Sequence, residues 1–238
     1  MSLTYSTYVT TLANRLVVPE SDPNFQTELP NIITAAELRC YRALDLLDTS
    51  TRDHSASFTA GNRNFNLPST LGTFIVCDEI NVITPSTATD PELGTRNQLV
   101  PCSDEMLNAL WPSVSGSTVP SYFGMVNQDT IIVGPWPDAA YTVEVVGTVR
   151  PATLSTTTTT TILTVFFPDV FLAASMVQGA AYLKDFGAES DDPKLAVTWE
   201  SNFQSILADA KTEEARKTFA SQGWSDKSPV PQSTTPRT

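Results

Sequence analysis

Histidine and cysteine are scarce in this chain, and so is charge. Its 238 residues include one histidine, His54, and three cysteines, Cys40, Cys77 and Cys102. One imidazole cannot supply a histidine-based metal centre, which needs several ligands. An odd cysteine count with no Cys-x-x-Cys pair excludes a disulfide framework and a zinc ribbon, and it points to a reducing compartment. Charged residues make up 17% of the chain, against a usual ~25%. Cations are the rarer sign: 14 Lys and Arg face 26 Asp and Glu, for a net charge of −12. A surface that grips a nucleic-acid backbone needs clustered cations, so that class is excluded. No Gly-x-Gly-x-x-Gly or Gly-x-x-x-x-Gly-Lys-Ser/Thr loop is present to cradle phosphates. The start, Met1-Ser2-Leu3-Thr4, runs straight into an amphipathic segment, so no signal peptide is expected.

What the chain does have is an apolar fraction of 41%, enough for a sizeable core in one large domain or two modest ones. Thr and Ser fill the places that charge leaves. Low charge with much Thr suits a surface partly spent on protein contacts, and it suits a Thr-rich monomer equally.

The most apolar stretch organises the rest. From residue 170 to 183 only Ser175 and Gln178 are polar. A helix apolar on nearly every side must be covered on nearly every side. It is too short for a bilayer, which asks for about 20 residues, so no membrane span is expected. Pro168 suits a first helical turn, Asp169 complements the dipole there, and Gly187 ends the helix. Gly179, Ala180 and Ala181 let another helix come close. Phe171, Val177 and Leu183 are expected in the core.

Around it, Thr4 caps a helix over residues 5–16, with Tyr5, Val9, Leu12 and Leu16 at helical spacing. A second helix is expected over 24–48, with Pro30 in its early part or starting its main body. It should bury Ile33, Ala36, Cys40, Leu44 and Leu47 and leave Glu37, Arg39 and Arg42 in water. A hairpin over 58–65 turns at Gly61-Asn62 and brings Phe58 opposite Phe65. A strand over 74–83, interrupted by Asp78-Glu79, precedes a polar loop over 84–97. Ser103 starts a short helix that Pro112 stops. A second hairpin follows over 122–133, and alternating Tyr141, Val143, Val145 and Val149 mark a half-buried strand. The Ser/Thr run 155–161 reads as a connector. A last helix begins at Asp192-Pro193 and carries Leu195, Trp199, Phe203, Ile206, Leu207 and Ala210 on one face. Residues 225–238 hold three prolines and little apolar mass, so alone they should be disordered.

The order helices, strands, helices predicts an α+β fold. An antiparallel helical bundle from both chain ends carries an inserted β-rich lobe and an extended C-terminal tail. The expected bounds are 1–52 and 155–223 for the bundle, 53–154 for the lobe and 224–238 for the tail.

No constellation asks for catalysis, a metal or a cofactor. Asp53-His54-Ser55 has the letters of a hydrolase triad, but adjacent residues cannot adopt triad geometry. The acidic pairs Asp78-Glu79, Asp104-Glu105 and Asp191-Asp192 read as loop ends or caps. Cys77 and Cys102 sit in apolar surroundings and read as packing. Trp111, Trp136, Trp199 and Trp224 read as core or interface anchors.

Several motifs in order resemble the tail adaptor (head-to-tail connector) proteins of short-tailed bacteriophages. They are Thr4-Tyr5-Ser6, Ala36-Glu37-Leu38-Arg39, residues 58–61, Pro135-Trp136-Pro137-Asp138 with Tyr141-Thr142-Val143-Glu144-Val145, Val149-Arg150-Pro151, Pro168-Asp169 and Tyr182-Leu183-Lys184-Asp185. The resemblance covers about residues 4–219; the Thr run, the 84–97 loop and the tail depart from it. It implies a structural virion protein, assembled in the host cytoplasm, and not an enzyme. The family forms a dodecameric ring beneath the portal protein, extends the DNA channel without binding DNA specifically, and offers a platform to tail nozzle or tail fibre proteins. Its C-terminal segment commonly reaches the portal. Trp224, Pro229, Val230, Pro231, Pro236 and Arg237 are therefore the expected portal or subunit contacts here, a disposable disordered end being the alternative. The competing function is a glycan- or receptor-binding β module of a phage tail, with Trp111 and Trp136 as its platform.

Overall fold

The computed structural model describes residues 3–183 and 195–222, with the side chains of 195, 196 and 218–222 left aside. Among the described residues the chain is mixed α+β, with six α-helices and two four-stranded sheets. It divides into two compact units, Met1–Leu47 with Leu163–Thr238, and Asp48–Ile162.

The first unit holds α1 (Tyr5–Leu16), α2 (Pro23–Ala43), α5 (Pro168–Tyr182) and α6 (Leu195–Gln222); the short α4 (Ile162–Phe166) leads into α5. Thr4 caps α1 through Thr7, and Asp22 caps α2 by accepting from the amides of Asn24 and Phe25 at 2.8 and 2.9 Å. α5 packs against α1, α2 and α6, which is how a helix apolar all round is satisfied. Its middle carries the fully buried Phe171, stacked on Tyr8 at 4.8 Å between ring centroids. Tyr8 Oη donates to Ser175 Oγ at 2.8 Å, and Ser175 Oγ donates to the Phe171 carbonyl at 2.7 Å. The two polar atoms that this burial would strand thus satisfy each other.

Gly179 marks a close approach of α1 to α5: a Cβ there would lie 2.7 Å from Leu16 Cδ2. Gly179→Leu should cost about 1–3 kcal/mol by overpacking. Urea denaturation checks this, and an unchanged midpoint would mean that α1 does not press on α5.

Three expectations for this unit need correction. Leu183 is not core: α5 ends at Tyr182, and Leu183 is 36% exposed beside an open cleft lined by Val17, Pro19 and Tyr182. Val177 is only half-buried. α2 ends at Ala43 and leaves Leu47 exposed, while Glu37, expected in water, is buried. Pro30 lies inside one continuous helix, on its exposed side, where the carbonyl freed by the missing N–H can be hydrated. The expected helix ends at Gly187 and Asp192-Pro193 lie outside the described residues.

The second unit pairs β1 (Ser50–Ser57), β8 (Thr142–Arg150), β3 (Thr73–Thr84) and β4 (Thr95–Gln98), in that order, in one antiparallel sheet. The other sheet runs β2 (Asn64–Asn66), β7 (Thr130–Gly134), β6 (Tyr122–Met125) and β5 (Val100–Pro101), and α3 (Asp104–Leu110) packs on β6 and β7. One apolar cluster, including Phe58, Phe74, Ile80, Ile131, Val133, Val143 and Val145, takes residues from both sheets.

The 58–65 hairpin does not form. Phe58 and Phe65 do meet, edge to face at 5.0 Å, but β1 pairs with β8 and β2 pairs with β7. Gly61 adopts φ 71° and donates its amide to the Pro137 carbonyl, and Arg63 accepts from the Val133 amide. The turn therefore carries the chain from one sheet to the other instead of back along itself. The 155–161 run forms no strand; Ser155 closes a small turn with Thr157 and Thr158.

Candidate functional site

The residues with chemical potential are held in structural roles. Asp53 is buried and its Oδ1 accepts from the Ser55 amide at 2.8 Å. Ser55 Oγ faces Thr70 Oγ1 at 3.1 Å, and His54 is exposed, so the three do not form a relay. Burial pushes the Cys40 thiol up to about 12, and it raises those of Cys77 and Cys102 as well. None is poised as a thiolate nucleophile. Among the described residues no group of three His, Cys, Asp or Glu side chains is placed to hold a metal. No helix among them is long and apolar enough to cross a membrane.

Trp111 and Trp136 fasten α3 to the second sheet. Trp136 Nε1 donates to the Trp111 carbonyl at 3.0 Å, Trp111 stacks on Tyr122 at 5.6 Å, and the Arg63 guanidinium lies 5.5 Å from the Trp136 ring centre. One face of each indole is thus engaged within the protein, which leaves less for a sugar platform.

A feature the sequence did not announce is Glu144. It is only 2% exposed, in the second strand of a four-strand sheet. Arg96 Nε donates to its Oε2 at 3.0 Å and Arg96 Nη2 to its Oε1 at 3.3 Å. Asn81 Nδ2 donates at 3.2 Å, and Arg52 Nη1 lies at 3.5 Å. Burial pushes this carboxyl up, but the Arg96 and Asn81 hydrogen bonds and the two guanidinium charges outweigh it and hold it below its usual range. The network joins β1, β8, β3 and β4 across one face. Read alone, Glu144 is the polar member of an alternating strand; its partners come from distant strands.

The 84–97 loop lies on that same face. Thr142 Oγ1 donates to the Ala88 carbonyl at 3.0 Å, and a Cβ on Gly94 would be 2.4 Å from Ile83. Arg96 reaches back to Glu92 at 2.7 Å. At the tip Leu93 stands 82% exposed.

In the helical unit, Arg39 pairs with Glu200 and lies 4.2 Å from the Phe203 ring centre; that pairing holds the Glu200 carboxyl below its usual range. Buried Glu214 accepts from the Leu47 amide at 3.1 Å and from Lys217 Nζ at 2.6 Å. These pairs tie α2 and the segment after it to α6.

The expected contact residues Trp224, Pro229, Val230, Pro231, Pro236 and Arg237 lie outside the described residues. A family model described as SU10 adaptor protein matches residues 3–225. No curated protein matches the chain.

Proposed function

The chain belongs to the SU10 adaptor protein family, and from that premise we propose that it is a head-to-tail adaptor of a phage virion. In this reading its copies form a dodecameric ring beneath the portal, extend the DNA channel and give the tail its attachment platform. The helical unit is the ring's bundle and the sheet unit is a lobe inserted in it, built between Asp48 and Ile162. The observation that carries the proposal is the extent of the family match, from the first helix to beyond α6. The packing of Trp111 and Trp136 within the sheet unit agrees with a protein that holds others together.

The tail is the proposed tether. Lys227 and Arg237 outnumber Asp226, so it is cationic on a chain of net charge −12. Pro229, Pro231 and Pro236 favour extended backbone and lower the entropy lost on docking. DNA passes without specific binding, because an acidic lumen repels the duplex.

Portal rings of the same phage, immobilised and washed, test this with two chains. The full chain should be retained. A chain ending at Gly223 should keep the circular dichroism spectrum of the full chain and be lost in the wash. Equal retention would move the portal contact from the tail to the helical unit.

A further inference from the structure

We propose that the tip of the 84–97 loop in one copy docks on the open edge of β3 and the Arg150 cleft of a second copy, joining copies head to tail. This rests on the reading of the chain as a ring-forming adaptor.

The acceptor surface comes from unequal strand lengths. β8 flanks β3 from Thr73 to Val82, whereas β4 covers only Asn81 to Thr84. Residues 73–79 thus keep one edge of N–H and C=O groups with no backbone partner among the described residues. An open edge that also bears apolar side chains recruits another chain. Ile75 and Val76 are 42% and 50% exposed there, and Ile75 is the extra residue of a bulge, turned out of the pairing with β8.

Arg150, on β8, pairs with Thr73 from the flank of β3 opposite the open edge. It lines a cleft of about 380 Å³ with Ser69, Thr70, Thr73 and Thr153. Its Nε is buried and has no hydrogen-bond partner among the described residues, which also give it no ion pair. A buried N–H without an acceptor is costly, and a carboxylate supplied from outside would satisfy it. One cation beside apolar side chains does not fit a phosphate backbone, which asks for a cluster. It fits a protein carboxylate with an apolar neighbour.

The loop tip has that chemistry. Leu93 is the exposed apolar group, with Asp90 and Glu92 beside it. Asp90 holds the turn, its Oδ1 accepting from the Glu92 amide at 2.9 Å and its carbonyl from the Leu93 amide at 3.0 Å. Glu92 is engaged by Arg96, so Asp90 is the acid left to meet Arg150. Pro91 is buried, and Gly94 sits against Ile83, so the tip is presented in a fixed shape.

Donor and acceptor lie at opposite ends of β3. Its 12 residues span on the order of 40 Å, so a copy's tip cannot reach its own cleft. Contacts between two different patches propagate from copy to copy, and they close a ring where the rotation between copies closes.

Sedimentation velocity on the full chain, alone and with portal rings, tests the contact. Leu93→Asp changes an exposed side chain and leaves the fold intact, which a thermal melt verifies. Leu93→Asp and Arg150→Glu should each raise the concentration needed for assembly by about tenfold or more, as expected for a central contact. Asp90→Asn, which keeps the oxygen that holds the turn and removes the charge, should weaken assembly as Arg150→Glu does. Normal rings from any of these variants would overturn the contact and leave the ring reading standing, whereas a closed two-fold dimer of the wild-type chain would overturn both. No homo-oligomer of the wild-type chain, alone or on portal, would overturn both.

Discussion

Phe171→Ala is expected to cost about 3–5 kcal/mol and to lower the unfolding midpoint of the helical unit by on the order of 10 °C. Phe171 is fully buried in the middle of α5 and stacks on Tyr8 with an interplanar angle of 20°. Removing the ring opens a cavity bounded by α1 and α5. It also unseats Tyr8, whose hydroxyl is satisfied by Ser175 one turn farther along the same helix. Burial already raises the Tyr8 pKa, so this phenol has no charged state to retreat to near neutral pH. Leu183→Ala, by contrast, should cost little, because that side chain is partly in water. Differential scanning calorimetry on the two variants separates them. Equal midpoints for both would remove α5 from the centre of its unit.

The second large effect falls on the sheet unit. Glu144→Ala should cost about 3 kcal/mol, since deleting one partner of a buried ion pair leaves the other uncompensated. The figure sits at the low end of that range because the side chains of Arg96 and Arg52 are 35% and 59% exposed and regain some hydration. The same network gives a pH signature. The carboxyl is held below its usual range, so its contribution is fully present above the ordinary Glu value of about 4.3 and is lost as pH falls through the lowered folded value. Glu144→Gln keeps the shape and removes the titration. Its stability should therefore vary less than the wild type's between neutral pH and about pH 3. Parallel acid profiles for the two proteins would show that Arg96 and Arg52 do not bear on Glu144.

Local signals in the sequence were sufficient where the physics is local. Thr4 and Ser103 begin helices because a hydroxyl satisfies an orphan amide within three residues, and neither event depends on the rest of the chain. The apolar α5 implied its own covering, and α1, α2 and α6 supply it. The failures occur where a distant partner decides. Phe58 and Phe65 alternate with polar residues as in a hairpin and do meet, yet β8 takes β1 and β7 takes β2. No pattern within eight residues can reveal those partners. Glu37 and Glu144 occupy positions that suit water, and long-range packing buries both. The 84–97 loop reads as loose polar sequence, while Thr142, Ile83 and Glu144 give it a fixed seat. Of the contact surface, the β3 edge is legible only once β4 is known to stop at Gln98, opposite Asn81.

The central claim is that copies of this chain assemble into a ring on the portal. Native mass spectrometry of the full chain mixed with portal rings of the same phage measures it directly. A single dominant species containing one portal ring and a full complement of adaptor copies is the predicted result. Portal rings recovered bare beside monomeric chain, at every mixing ratio, would contradict it.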